Sequence, residues 1–420
     1  MRITATHTGE GNGRLQSVLS GIRVLDFSRI FAGPAATQVL GDLGADIIKI
    51  EEPGHGDDAR TFGVTAEAMR DFGASPSFLA LNRNKRSMIL DLRQQAARDV
   101  AVAMAAQCDV LIHNFRPGGM DKFGLGYDAL RAANPRLVYC EFSAYGDRGP
   151  LSHLGANDVA LQAHSGLMSI TGEADRPAVR SGTAVVDLHA SMGLVSAILA
   201  ALLHRERSGQ GQRVETSLLR SGAHLMNYFY TEYWQDGTVR GRMGTANHLS
   251  VPNQAFPATD GSVIIISPAD DMWRRLTVAL DAPHLDRAEF KTAFDRRRNR
   301  DTLIAELTDV TSRMSCAELV QRLGGAKVNV SKVNSVGEAA DDPQLAAIGA
   351  VVEQQMGGRT VKSVAAPFAM SETPTQATRP PPRHGEHTDE LLREFGYSKE
   401  AILALRAVGA LGAVPSQAAE

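Results

Sequence analysis

Between Gly21 and Glu52 the chain reads strand, helix, strand within about 30 residues, a spacing that fits a βαβ unit. IRVLDF is strand-like. Pro34 to Gly44 reads as a helix, with Pro near its start, Gly at its end, and Ala36, Val39, Leu40 and Leu43 recurring on one face. DIIKIE follows, apolar on both faces as a central parallel strand must be. SMILDL, VLIHNF and LVYCEFSAY repeat the strand texture, and AARDVAVAMAAQC and YDALRAANP the helical one. This alternation predicts a Rossmann-like α/β fold, a parallel sheet with helices on both faces. A long helix is expected after Asp187, through LHASMGLVSAILAALLHRER. Gly209 and Gly211 stop it, and RVETSLL returns as a strand.

Past Gly222 the texture changes to polar, Gly-containing loops around 240–253, then a strand SVIIIS and helical segments to about Gly325. The expected organisation is a flexible tail over 1–18, a large domain over 19–222 and a smaller α/β domain over 223–335. Residues 336–420 are expected as a linker and C-terminal helices. Residues 371–386 are rich in Pro and Thr and read as extended chain. HTDELLREFGYSKEAILALRAVGAL reads as two helices around a Gly break.

The net charge is −3, from 44 basic and 47 acidic side chains, so no field favours nucleic acid or an anionic membrane as partner. Arg296–Arg298 reads as a solvated helix face. The three cysteines, Cys108, Cys140 and Cys316, form no C-x-x-C, which argues against a disulfide framework or zinc knuckle and fits a reducing cytoplasm. The first residues lack the apolar core of a secretory signal. The longest apolar run, Leu194 to Leu203, is about half a membrane span. The expectation is a soluble cytoplasmic protein.

The opening unit invites a dinucleotide reading, with Glu51 and Glu52 where a ribose-binding acid would stand. Its turn, SRIFAGPAATQ, lacks G-x-G-x-x-G, and Pro34 removes one backbone donor from the helix start. Walker A, G-x-S-x-G and H-E-x-x-H patterns are absent as well. His384 and His387 have the gap of a metal-binding helix face but lie in a Pro-rich turn, which reads as turn or cap chemistry. No metal is expected.

Asp187 stands just before a long apolar helix. There it can serve as an N-cap, accepting from the first free N–H groups. The same place favours the ionised carboxylate through the helix dipole, which would make it available as a nucleophile. Position alone leaves both roles open.

A set of segments in order along nearly the whole chain resembles the family III CoA-transferases, the group typified by formyl-CoA:oxalate and carnitine CoA-transferases. They are GIRVLDFSRIFAGPAATQVLGDLGADIIKIEEPGHGDDAR, LNRNKRSMILDL, NFRPGGMDKFGLGYDAL, NPRLVYCEFSAYG, NDVALQAHSGLMSITG, VVDLHASMGLVSAILAALLHRERSGQGQRVETSL and GEHTDELLREFGY. The resemblance implies that Asp187 is the nucleophile. It also implies that Phe31 and Ala32 line the CoA thiol end, and that Leu90, Asp91, Leu92, Arg93, Asn114, Phe115 and Arg116 hold nucleotide and pantetheine. Lys122 would meet a phosphate as a point charge, and Asn157 and Asp158 join the CoA-binding set. Glu52 replaces a basic residue of some members, removing one phosphate contact. Only Gly241 and Gly244 represent the glycine-rich lid of the oxalate enzymes, which argues against an oxalate acceptor.

The implied reaction carries an acyl group onto Asp187 and then CoA onto the aspartyl carbonyl. It needs no cofactor beyond the coenzyme A thioester substrate, and N–H groups at the helix after Asp187 are expected to steady the oxyanions. The partners implied are an acyl-CoA, a carboxylic acid and a second copy of the chain in an interlocked homodimer. The α-methylacyl-CoA racemases share the fold but need an acid and a base about the α-carbon. They resemble this chain with a His where Asn157 stands, and Asn exchanges no proton near neutral pH, although His153 and His164 are near in sequence. A non-catalytic CoA-binding module is the third reading.

Overall fold

The computed structural model describes residues 17–412, so the tail expected over 1–18 lies almost wholly outside them. The described chain forms two compact units. One holds residues 17–165, 182–225 and 346–412, the other 166–181 and 226–345.

The first unit is built on a six-stranded sheet: β1 (Arg23–Asp26), β2 (Asp46–Glu51), β3 (Lys85–Ile89), β4 (Val110–His113), β5 (Val138–Ser143) and β6 (Arg213–Ser217). The order is β3-β2-β1-β4-β5-β6 and every pairing is parallel. The order reverses between β1 and β4, and a crevice therefore opens at the carboxyl ends of those strands.

Helix α1 (Ala32–Asp42) starts two residues before Pro34. Pro is tolerated there because the first turn's N–H groups have no intrahelical partner in any case. α2 (Gln95–Ala105) packs Ala97, Val100, Ala101 and Met104 onto Leu25, Ile48, Met88 and Leu111. Leu391 and Leu392 of α10 (Thr388–Glu394) and Ile402 of α11 (Lys399–Ala407) join the same core. Burial of each such side chain stabilises the unit by about 1.5–3 kcal/mol.

α1 and α5 (Val185–Ser208) pack on each other and against the strands, outside that core, so they cover the face to which Val24 points by strand alternation. α5 is the one helix among the described residues long and apolar enough to cross a membrane; here it packs along β5 and β6. α3 (Tyr127–Ala133), α4 (Asp158–His164) and α6 (Leu218–Leu225) complete the elements used below.

The outer edge of β3 is occupied by the C-terminal segment. Asn84 N–H donates to Arg379 C=O (3.0 Å), His387 N–H to Ser87 C=O (2.9 Å) and Ile89 N–H to Thr388 Oγ1 (3.1 Å).

The second unit carries an antiparallel sheet, β7 (Asn253–Ala258), β8 (Gly261–Ile266) and β9 (Asn329–Lys332). Its core joins Phe256, Val263 and Ile265 to Trp273 and Leu276 of α7 (Asp270–Ala279), Leu303 and Leu307 of α8 (Arg300–Thr311), and Leu319 and Leu323 of α9 (Cys316–Gly325).

Two expectations are corrected. The large domain is not continuous over 19–222, because residues 166–181 belong to the second unit. Gly244 N–H donates to Gly172 C=O (2.8 Å), and Arg242 donates to the carbonyls of Glu173 (3.1 Å) and Arg176 (2.9 Å). The segment read as linker after 336 contains a hairpin, β10 (Val351–Met356) and β11 (Arg359–Val364). Its two-residue turn, Gly357-Gly358, has φ of +59° and +78°, as a primed turn requires.

Candidate active site

The carboxyl ends of β1 to β4 open into a cleft of about 100 Å³. Leu90, Asp91, Leu92, Arg93 and Phe115 line it as expected from the sequence, joined by Phe27, Arg29, Glu52 and Phe123. Its cations are paired. Arg93 Nε lies 2.7 Å from Asp91 Oδ1 and holds that carboxyl below its usual range, and Arg29 Nη1 lies 2.7 Å from Glu52 Oε1. Phe115 meets the Phe123 ring edge-on and has the Arg29 guanidinium 5.9 Å from its centroid.

The other expected CoA contacts, Phe31, Ala32, Asn114, Arg116, Lys122, Asn157 and Asp158, do not line this cleft. Asn114 is engaged with the β1–α1 segment: its Oδ1 accepts from Arg29 N–H (3.1 Å) and its Nδ2 donates to Arg29 C=O (3.0 Å). Asn157 caps α4 by accepting from Ala160 N–H. Arg116 and Lys122 are exposed, and Lys122 pairs with no carboxylate among the described residues. Phe31 occupies the N-cap position of α1 and Ala32 is buried beneath it.

Asp187 is not the cap of its helix. α5 begins after Ala184, which puts Asp187 third in the first turn. The capping oxygen comes from Asp158 on α4, whose Oδ2 accepts from Val186 N–H (2.8 Å) and Asp187 N–H (3.0 Å) while Gln162 donates to its Oδ1. Val185 N–H donates to Thr183 C=O and Leu188 N–H to Ala184 C=O. The first-turn N–H groups expected to steady an oxyanion are therefore already engaged. The expectation that the helix start keeps Asp187 ionised is also corrected. Burial first, and the Asp158 carboxylate second, push its pKa up to about 7. No hydrogen bond from the described residues reaches its carboxylate.

Sequence reasoning passed over other polar groups of this unit. His189 Nε2 and His224 Nδ1 approach to 3.1 Å beside a groove along α5 and α6. His113, at the end of β4, is buried with neither ring nitrogen partnered, and burial pushes its pKa down to about 3, so it is neutral. His384 Nε2 lies 3.0 Å from Glu52 C=O, a turn contact; His387 occupies the N-cap position of α10 without a side-chain cap bond, its Nδ1 instead accepting from Ser87 N–H (3.3 Å).

The family model described as CoA-transferase family III matches residues 19–388. The chain belongs to that family. Human succinyl-CoA:glutarate CoA-transferase is 32% identical over 97% of this chain and 96% of its own length. Succinate--glutarate CoA-transferase of Agrobacterium fabrum is 34% identical over 90% and 95%. Among solved structures, a CAIB/BAIF family protein from Brucella suis superposes with a TM-score of 0.82 at 32% identity, covering 90% of this chain and all of its own. In a family III enzyme, a half-buried carboxylate that titrates near neutrality, with no donor holding its charge, is a candidate for the chemistry.

Proposed function

We propose that this family III enzyme moves coenzyme A from an acyl-CoA to a free carboxylic acid, with Asp187 as the nucleophile. The observation that carries this reading is the state of Asp187, desolvated, unbonded at its carboxylate and raised to a pKa of about 7. Such a carboxylate is more basic than a solvated one and has little hydrogen bonding to shed before attack. Asp187 attacks the thioester carbonyl, forming a mixed anhydride and releasing CoA thiolate. The thiolate attacks the aspartyl carbonyl, freeing the donor acid and leaving an aspartyl-CoA thioester. The acceptor carboxylate attacks that thioester, releasing the thiolate again. The thiolate then takes the acceptor's acyl group and returns Asp187 as a carboxylate. Each step exchanges one activated acyl bond for another, so the balance requires no ATP, metal or redox group.

Leu90 to Arg93 and Phe115 are assigned to the CoA nucleotide, since they line one cleft at the carboxyl ends of parallel strands. The two relatives named above carry succinate or succinyl-CoA and glutarate in their names, so a short dicarboxylate is the acceptor class we propose. A second copy of the chain is proposed as partner, in the interlocked dimer that the family resemblance implies. The exposed apolar side chains Leu188 (41%) and Leu203 (54%) on α5 support a covering partner. The free, buried cysteines suit a cytoplasmic location.

A racemase is not favoured, because Asn157 is spent on a helix cap and carries no exchangeable proton of suitable pKa. The test is a panel of acyl-CoA donors against carboxylates, with succinyl-CoA and glutarate as the first pair. Absence of CoA transfer across the panel, or α-proton exchange of a 2-methylacyl-CoA that survives Asp187→Asn, overturns the assignment.

A further inference from the structure

The segment Ser28–Ile30 leads from β1 into α1, and its backbone is held by side chains from four other places. Ser28 N–H donates to Asp26 Oδ1 (2.8 Å) and Ser28 C=O accepts from Lys49 Nζ (2.9 Å). Asn114 takes both the N–H and the C=O of Arg29 (3.1 and 3.0 Å). Ile30 N–H donates to Asp57 Oδ1 (3.0 Å). Asp57 is fixed in turn by a fully buried ion pair with Lys49, 2.7 Å away.

Ile30 has φ of +69°, a left-handed conformation that strains a β-branched residue. The segment also folds back on the first turn of α1. A Cβ on Gly33 would stand 2.3 Å from the Ser28 Cβ, so the close approach needs glycine there. A mere connection between strand and helix needs neither strain nor buried charges. What the arrangement fixes is the cleft wall, since Phe27 and Arg29, which flank Ser28, both line it.

We propose that Asp57 and Asn114 are positioning residues of the acyl-CoA site, holding Ile30 left-handed and so setting Arg29 in the cleft. This rests on the cleft being the acyl-CoA site. Both act through the Ser28–Ile30 backbone, and Lys49 holds Asp57 in place.

Two double variants separate positioning from bulk stability. Lys49→Met with Asp57→Asn removes the buried ion pair but keeps an oxygen acceptor for Ile30 N–H. Lys49→Met with Asp57→Leu removes both. The first is expected to keep KM for acyl-CoA within about threefold of wild type, and the second to raise it by about tenfold or more, with KM for the acceptor acid unchanged in both. A purely structural role would lower the melting temperature and leave KM alone. Equal KM for acyl-CoA in the two double variants overturns the proposal. Should the Leu variant not fold, half-buried Asn114 gives the same answer. Asn114→Ala should raise KM for acyl-CoA by about tenfold, and Asn114→Asp, which keeps the acceptor for Arg29 N–H, by less. An unchanged KM in Asn114→Ala overturns the proposal. A wild-type protein that neither binds CoA in calorimetry nor transfers it removes the functional reading itself, and the proposal with it.

Discussion

Asp158 Oδ2 accepts both the Val186 and the Asp187 N–H, so the carboxylate that starts α5 is lent by another helix and repels the one it supports. Capping of this kind is worth about 1 kcal/mol to the helix. Burial is the larger cause of the raised Asp187 pKa, and Asp158 adds to it with its own charge while occupying the donors of the first turn.

Activity should therefore follow the ionisation of Asp187. kcat/KM is expected to rise with pH through about 7. Asp158→Asn keeps an oxygen for the two N–H groups and removes the like charge, so the rising limb should move to lower pH. A limb that stays in place would show that Asp158 does not set the charge of Asp187.

Stability should show the same group with the opposite trend. The folded pKa of Asp187, about 7, lies above the unfolded value near 3.8, so the folded state holds the extra proton between them. Stability is thus lost as pH rises through that window. Asp187→Asn escapes the loss. It should melt above wild type at pH 8, with the gap closing toward pH 4, while turnover falls by orders of magnitude because an amide forms no anhydride. Thermal melts across pH, together with hydroxylamine trapping of an acyl-CoA adduct on the Asp187 peptide, check both halves.

Glu52 neutralises Arg29 in the cleft. Glu52→Gln should free that guanidinium for a phosphate and lower KM for acyl-CoA by about two- to fivefold at low salt, less at high salt, since the pair is part-exposed. Steady-state kinetics at two ionic strengths measure it, and a KM that rises would mean that Arg29 needs Glu52 to stay in place.

Sedimentation at micromolar concentration should give twice the chain mass. Leu203→Glu, on the exposed apolar side of α5, should shift the protein toward monomer. A wild-type monomer would remove the dimer from the proposal.

The sequence made β2 legible because DIIKIE is apolar on both faces, and β2 does lie between two partners. Where it was silent, the determinant was distant. Asp187 looks like a cap from its neighbours alone, because the true cap is 28 residues upstream of Val186. Asn114 has no local mark of its bonds to Arg29, 85 residues away, and only the resemblance gives it a CoA contact. Leu90 to Arg93 were placed in the cleft only by the resemblance, since a strand end carries no local mark of what it faces. β7 went unread because Phe256 is the only buried side chain in NQAFPA and Pro257 suits only an edge. The Gly357-Gly358 hairpin carries a local signal, two glycines between two strand-like runs.

The C-terminal segment on β3 bears on how the chain reaches this state. An uncovered edge strand is a template for pairing with another molecule. Here the cover comes from contacts such as Ser87 with His387, 300 residues apart. While the ribosome is still extending the chain, β3 has been made and its guard has not. The nascent protein carries an open edge through most of its synthesis, and chains stalled or cut before Arg379 should be the ones that aggregate.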